Sequence, residues 1–389
     1  MQGMLEGFEA PSTRSADVAR VLVDVDLPHM DRPLDYIVPA GLADAAVVGS
    51  LVRVRLSSAR IDGWIVERTR REVGEGSASI ESVVSSTPVL ASSIYETARR
   101  IAARFLATTS QVLSLAIPPR HARAEREVRD ENAPTWPTVT SDHAGLGWEA
   151  YPAGEALVSR LRAGESPRAI ATMLRPRLRG CLSEAVASTV ASRRSVIVVT
   201  ATGEQAGRYA RALSEDLSIP VSLAGSEVAA EERYRLHVAA SLGRVPVVVG
   251  TRSAVWVPCS RLGLIVIVDD GDDRLRERRF PRCDALDVAV QRCAVEGSGL
   301  LVVSSARSVK AQALVRSGWA VGIEPTPHAL REATPRVHLH GSTQAEREGA
   351  GGLMRIPQAA LRMIRGGLRS GPVLIQVASA GYWPTVVCR

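Results

Sequence analysis

Two stretches of this 389-residue chain carry side chains suited to phosphate chemistry. One is Leu262-Gly263-Leu264-Ile265-Val266-Ile267-Val268-Asp269-Asp270-Gly271-Asp272-Asp273, an apolar run that ends in acids. Carboxylates at the tip of a buried strand can hold magnesium and activate a water against a nucleotide. The other, shortly upstream, is Val248-Val249-Gly250-Thr251-Arg252-Ser253-Ala254. Gly250, Thr251, Arg252, Asp269 and Asp270 thus form a candidate nucleotide site. A plainer reading stands beside it: an acidic loop that caps a strand, or pairs with Arg274, Arg276, Arg278 and Arg279 just beyond.

Such a site needs a glycine-rich loop whose backbone N–H groups wrap the phosphates, and a lysine that reaches the outer ones. No GxxxxGK[ST] loop occurs, and the sole lysine, Lys310, follows Ser305-Ala306-Arg307-Ser308-Val309 without a glycine among them. The acids therefore lack the partner that would make them a phosphate machine.

The elements that must position these residues change character along the chain. Residues 1–117 read as β-rich: Val18 to Asp26, Leu34 to Val38, Leu51 to Leu56 and Ile61 to Glu67 are strand-like, punctuated by Gly41 and Gly49. A helix is predicted from Ser93, with Ser93 and Glu96 at capping-box spacing and Ile94, Ala98, Ile101 and Phe105 on one face. Residues 118–150 read as a linker or a much reduced module, since from Arg120 to Trp148 the chain is charged and then rich in Pro, Asp and Gly. From 151 to 389, continuous apolar runs at Ser195–Thr200, Val245–Thr251, Leu262–Asp270, Leu300–Ser304 and Val373–Val377 alternate with amphipathic stretches such as Glu204–Leu217 and Asp284–Glu296. That pattern predicts a parallel sheet covered on both faces, with its working residues at the carboxyl ends of the strands.

Composition sets bounds. A hydrophobic content of 46% and a charged content of 23% suit a soluble globular protein. The net charge of +7, nearly all of it arginine, favours a polyanionic partner, nucleic acid ahead of a membrane surface. The start lacks the order of a signal peptide and no apolar run is long enough to span a membrane, so a cytoplasmic location is expected. The cysteines at 181, 259, 283, 293 and 388 form no CxxC pair, and the first four read as buried small hydrophobes. His338 and His340 alternate on what reads as a strand and are too few for a metal site.

Six segments in order resemble the primosomal protein N′ (PriA) family of replication-restart proteins, in its helicase-degenerate form from high-GC actinobacteria. Val25-Asp26-Leu27-Pro28 with Arg32-Pro33-Leu34-Asp35-Tyr36 is similar to the family's LP…RPFDY segment, and Gly49 to Arg55 to its G-x-RVRVPF. Gly250 to Ala254 matches GTRSA, and Val268 to Asp273 stands where the family has DEEHD. Ser304 to Ser308 resembles GSATPS, and Gly371 to Gln376 through Gly381-Tyr382 resembles the stretch that runs into the zinc module. The resemblance implies a β-rich domain that binds a DNA 3′ end, followed by a RecA-like parallel α/β helicase lobe.

Departures from the family pattern matter as much. Where its phosphate loop belongs, after Ala169 to Leu174, stands Arg175-Pro176-Arg177-Leu178-Arg179-Gly180-Cys181-Leu182-Ser183-Glu184. Pro176 donates no N–H and the bulky neighbours obstruct a backbone cradle. Asp270 is one methylene shorter than the family's glutamate, and no histidine follows. The expectation is a lobe without useful ATPase or helicase activity, binding no cofactor. Arg175 to Arg179, with Arg160, Arg162 and Arg168, form a positive stripe that either contacts a DNA backbone or is a solvated helix face.

The family holds a nascent 3′ end in a pocket that includes the Asp of FDY. Carried over, this pocket is Asp35 with Leu34 and Tyr36 beside it and the loop around Ser57 opposite, where a carboxylate accepts from a 3′-hydroxyl and Tyr36 stacks on a base. The alternative puts Tyr36 in the barrel core and Asp35 at a turn. Glu81 stands where a basic residue usually approaches the DNA. Cys388 falls at the family's first zinc cysteine, so zinc, which full-length members carry, is expected to lack its module here. Expected partners are forked DNA with a nascent 3′ end, other primosome proteins and the machinery that loads the replicative helicase, with no membrane. The alternatives are a weak DNA-dependent ATPase or 3′–5′ helicase using a non-standard nucleotide site, or a folded relic.

Overall fold

The computed structural model of the chain describes residues 13–74, 76–139, 147–339, 347 and 356–376. They fall into two compact units divided between Ala333 and Thr334.

In the first unit, five antiparallel strands come first: β1 (Thr13–Val23), β2 (Leu34–Ile37), β3 (Leu51–Leu56), β4 (Ala59–Gly74) and β5 (Ile80–Ser85), in the order β2-β1-β4-β3-β5. A bridge from Ile37 to Ser79 and a 2.8 Å bond from the Ile37 amide to the Ala78 carbonyl join the two edges, so the sheet closes on itself. Alternation fills it: Ala19, Val21, Val23, Tyr36, Val52, Val54 and Ile65 point inward and are buried. Gly49 takes φ +90° at a place where a Cβ would meet the Leu90 carbonyl at 2.5 Å, which reserves the position for glycine.

Leu22 and Trp64 face out of the barrel into a different core. It is built by α1 (Ser92–Phe105), α2 (Thr109–Ala116) and α3 (Ala122–Asp130) together with one face of the second sheet. Ile94, Ala98 and Ile101 are buried, as their spacing predicts. One sequence expectation needs correction here. The first helix has no capping box: its N-cap is Ala91, and Glu96 instead accepts from Arg99 Nη1 at 2.9 Å and Arg100 Nε at 3.0 Å. The capping box belongs to α2, formed by Thr108 and Gln111. Within the stretch read as a linker, α3 buries Ala124, Glu125 and Val128, and Trp136 donates its indole N–H to the Val190 carbonyl at 3.0 Å.

The second sheet is parallel throughout, seven strands in the order β12-β6-β11-β10-β7-β9-β8. These are β6 (Arg168–Thr172), β7 (Ser195–Val199), β8 (Val221–Ala224), β9 (Val247–Gly250), β10 (Leu262–Val268), β11 (Gly299–Ser304) and β12 (Val321–Ile323). Its helices are α4 (Gly154–Arg162), α5 (Leu178–Ala191), α6 (Gly203–Leu217), α7 (Ala230–Ser241), α8 (Ala285–Glu296), α9 (Val309–Arg316) and α10 (Pro327–Ala333). Strands buried on both faces are Val- and Ile-rich without alternation: every residue of β7, β9, β10 and β11 is buried. Ile197, Val199, Ile265 and Ile267 face the core shared with the barrel, while Val196, Val198, Val266 and Val268 face α4, α5 and α6.

The second unit contains a helix over Gln358–Gly367. The strand expected at Val373–Val377 is not there: residues 372–376 have no regular structure, Leu374 is exposed, and Val377 lies outside the described residues. His338 likewise sits in irregular, exposed chain rather than a strand, and His340 is outside the described residues.

Candidate functional site

The strand order brings three tips side by side. β6, β11 and β10 are consecutive neighbours, so the segments leaving their carboxyl ends converge: Met173–Arg177, Ser304–Ser308 and Asp269–Asp273. A crevice at the carboxyl edge of a parallel sheet is where such folds bind ligands. Here the crevice is knitted shut by its own residues.

The backbone of the β6 loop is already bonded. The Met173 amide donates to the Ser304 carbonyl at 2.8 Å, the Leu174 amide to the Tyr151 hydroxyl at 2.8 Å, and the Arg177 amide to the Leu174 carbonyl at 2.9 Å. Leu178 donates to the Arg175 carbonyl, and Pro176 has no N–H. A phosphate cradle is made of free amides, and the Met173, Leu174, Arg177 and Leu178 amides already have acceptors. The arginine that leaves the loop completes the closure: Arg175 Nη2 lies 3.0 Å from Asp269 Oδ1, and its Nε donates to Ser305 Oγ at 2.8 Å. A guanidinium thus stands against the carboxylate that a magnesium ion would use.

Asp270 is buried and both its oxygens are taken. Oδ1 accepts from Ser304 Oγ at 2.6 Å and Oδ2 accepts from the Ser308 hydroxyl, while the Asp270 amide donates to Ser304 Oγ at 3.1 Å. Asp272 accepts from the Arg274 amide at 2.9 Å and guanidinium at 2.6 Å, and this partner holds its carboxyl below the usual range. Asp269, Asp270 and Asp272 therefore bind hydroxyls and arginines of their own chain.

The sequence grouped Gly250, Thr251 and Arg252 with these acids, but β7 separates β9 from β10. Gly250 lies where a Cβ would meet the Ala224 carbonyl of β8 at 1.9 Å, so it is a close-packing glycine of the sheet. Arg252 Nε bonds Glu277 Oε2 at 3.1 Å, on the wall of a cleft of about 690 Å³ between the barrel side and the lobe. Lys310 is elsewhere again, on α9, 2.7 Å from Asp287 and 3.7 Å from Asp284.

The arginine stripe is largely paired. Arg160 meets Glu165 at 2.6 Å, Arg177 meets Glu149 at 2.8 Å, Arg179 meets Asp216 at 2.5 Å, and Arg168 stacks over Trp319 at 4.5 Å. Charges already matched by carboxylates attract a DNA backbone less than the bare count implies.

On the barrel, Asp35 is exposed on β2, with Arg71 Nη1 at 3.1 Å and Arg20 Nε at 3.6 Å; Arg20 also holds Glu67 at 2.9 Å. Tyr36 points inward, 3% exposed, and donates its hydroxyl to the Arg55 carbonyl at 3.2 Å. Burial pushes its phenol pKa up. A ring held in the barrel core does not stack on a base, so of the two readings of Tyr36 the structure takes the core. Leu34 is half-buried behind Asp35, and Ser57 sits exposed at the β3–β4 turn with φ 54°. Glu81 collects two arginines, Arg55 at 3.0 Å and Arg60 at 2.9 Å. Upstream, Asp31 accepts from the Thr109 amide at 2.9 Å, and Asp24 accepts from Ser110 Oγ at 2.6 Å, docking the segment after β1 onto the start of α2.

Cys388 lies outside the described residues. Cys181, Cys259, Cys283 and Cys293 are separately buried, and burial raises the first two to about 12 and the last two to about 11, so they remain thiols. Among the described residues no helix is long and apolar enough to cross a membrane.

The fold is a closed antiparallel β domain joined to a lobe built on a seven-stranded parallel sheet with helices on both faces. Residues 20–118 match the PriA 3′DNA-binding domain (3′BD) family. The chain is 37% identical over 372 residues to a "Probable replication restart protein PriA" of Mycobacterium tuberculosis, covering 94% of this chain and 56% of the relative, and 33% identical to that of Mycobacterium leprae, covering 94% and 57%. The chain belongs to the replication restart protein PriA family. It spans little more than half the length of these relatives. A solved structure of RecG bound to a three-way DNA junction aligns with 60% of this chain and 29% of its own at 14% identity and a TM-score of 0.32, so the fold assignment rests on the strand order above.

Proposed function

We propose that this chain is a DNA-binding component of replication restart, which recognises forked DNA and nascent 3′ ends through its barrel and hydrolyses no nucleotide. The observation that carries this reading is the β6 loop: its Met173, Leu174 and Arg177 amides already have acceptors and Arg175 is paired with Asp269. Removing preorganised stabilisation of that kind from phosphoryl transfer costs roughly two to five orders of magnitude in rate. The family match over residues 20–118 supports the DNA-binding half of the proposal, with Asp35, Leu34 and the Ser57 turn as the candidate 3′-end contacts. Other primosome proteins and the helicase-loading machinery are the partners this role requires, in the cytoplasm.

One observation favours a second reading. The Arg175 side chain is 59% exposed, and an exposed ion pair is weak enough to exchange. A magnesium nucleotide that displaced it would make the chain a slow DNA-dependent ATPase. Hydrolysis of ATP by the purified protein, with and without forked DNA, separates the two: background rates in both conditions are expected, and fork-stimulated turnover would establish the second. For the 3′ end, a fork with a free 3′-hydroxyl is expected to bind more tightly than one ending in a 3′-phosphate; equal affinities remove Asp35 from the contact.

A further inference from the structure

Asp35 does not stand alone on the barrel wall. The register sets Asp35 of β2 opposite Arg20 of β1, and Arg20 opposite Glu67 of β4, so the three side chains form a row across adjacent strands. Arg71, four residues beyond Glu67 on β4, reaches back to both acids. A closed ring of alternating charge results. Arg20 Nη1 lies 2.9 Å from Glu67 Oε2 and its Nε 3.6 Å from Asp35 Oδ1, while Arg71 Nη1 lies 3.1 Å from Asp35 Oδ2 and its Nη2 4.0 Å from Glu67 Oε1. Two guanidiniums and two carboxylates cancel, so the ring exerts no net pull on a polyanion. What it selects must match its pattern of donors and acceptors.

The hydrogen bonds within the ring are unevenly shared. Arg71 Nη1 donates to Asp35 Oδ2 and Arg20 Nη1 donates to Glu67 Oε2. At 3.6 Å the contact from Arg20 Nε to Asp35 Oδ1 is too long for a hydrogen bond, and that Nε is buried without a hydrogen-bond partner. Asp35 Oδ1 therefore keeps its acceptor capacity, flanked by two guanidiniums that offset the repulsion between a carboxylate and DNA. Arg71 likewise keeps donors in hand: Nη2 is beyond hydrogen-bond range of Glu67, and neither it nor Nε has an acceptor among the described residues. An unused carboxylate oxygen thus stands beside unused guanidinium N–H groups. In DNA, only a 3′-terminal nucleotide carries the complement on one sugar, a hydroxyl donor and a phosphate acceptor; an internal nucleotide has phosphates on both sides and no hydroxyl. Guanidinium is the side chain best suited to the phosphate.

We propose that Arg71 is a specificity-determining residue of the 3′-end site. Its Nη1 orients Asp35 so that Oδ1 accepts from the terminal 3′-hydroxyl, and its remaining N–H groups bind the phosphate on the 5′ side of the same nucleotide. Arg20, held by Glu67, is a positioning residue for Asp35. The inference rests on the reading of Asp35 as the 3′-end contact, and adds to it a second contact and the reason a carboxylate is tolerated there.

The test uses the full chain and three forks, whose nascent strand ends in a 3′-hydroxyl, in a 3′-phosphate, or in a 3′-hydroxyl with an uncharged methylphosphonate as its last linkage. Exposed ion pairs contribute little to stability, so Arg71→Gln and Asp35→Ala are expected to melt as the parent does. Loss of a hydrogen bond to a charged group corresponds to roughly a tenfold or greater loss of affinity. The methylphosphonate should therefore weaken the parent by about tenfold. Arg71→Gln, already weaker on the ordinary fork, should bind the ordinary and methylphosphonate forks alike. Asp35→Ala should lose the preference for hydroxyl over 3′-phosphate and keep the methylphosphonate effect. A parent that prefers the hydroxyl, with a methylphosphonate effect equal in the parent and in Arg71→Gln, would overturn Arg71 as the phosphate contact and leave Asp35 in place. A parent without that preference would remove Asp35 and this inference together.

Discussion

At the scale of single residues, the acids after β10 take their partners from their own chain. Asp270 ties β10 to β11 through Ser304 and to the start of α9 through Ser308, so Asp270→Ala should cost about 2–3 kcal/mol in urea unfolding, because the buried Ser304 hydroxyl and the half-buried Ser308 hydroxyl lose their acceptor. A loss under about 0.5 kcal/mol would mean that the acid is not part of the frame. Glu81 makes the opposite bargain on the barrel, where it neutralises Arg55 and Arg60. Glu81→Ala should strengthen DNA binding and steepen the dependence of log K on log salt by about one to two, since two guanidiniums become available to phosphates. Titration at several salt concentrations reads this directly, and an unchanged slope would place both arginines away from DNA. His237 supplies a pH effect. Burial lowers it from 6.5 to about 4, so between those values the unfolded chain binds the proton that the folded one refuses. Stability from this residue is therefore full above about 6.5 and is lost as pH falls toward 4, by about 3 kcal/mol at about 1.4 kcal/mol per unit. His237→Gln should flatten that part of the stability profile measured by denaturant unfolding.

At the scale of elements, what the sequence made legible followed from burial. The Val- and Ile-rich runs of β7, β9, β10 and β11 announce strands covered on both sides, and the acids after Val268 fall at the strand tip where they were expected. Short strands escaped: β8 and β12 are four and three residues long, carry exposed Leu223 and Val321, and borrow their pairing from β9 and β6. Helix α3 escaped because six of its nine residues are charged, and only tertiary contacts reveal that Ala124, Glu125 and Val128 are inside. The pairing of Arg175 with Asp269 spans 94 positions, and no local pattern encodes it. The docking of Asp31 on α2 is of the same kind, and it carries a prediction. Asp31→Ala removes the acceptor for the Thr109 amide and hydroxyl, so it should cost about 1 kcal/mol in thermal or denaturant unfolding.

At the scale of the whole molecule, the barrel is not an independent bead on a string. Leu22 and Trp64 leave its wall and join α1, α2 and the sheet residues Ile265 and Ile267 in one continuous core. The stretch that matches the 3′BD family, residues 20–118, ends before α3 begins at Ala122. A recombinant fragment trimmed to those limits would keep α1 and α2 but lose the lobe residues of the shared core, leaving part of the apolar face around Leu22, Trp64, Ile94 and Ile101 uncovered. Such a piece should precipitate or self-associate in size-exclusion chromatography, whereas one carried through Ala333 should run as a discrete species. Shuffling this end domain between proteins consequently demands transplanting the wall it leans on as well.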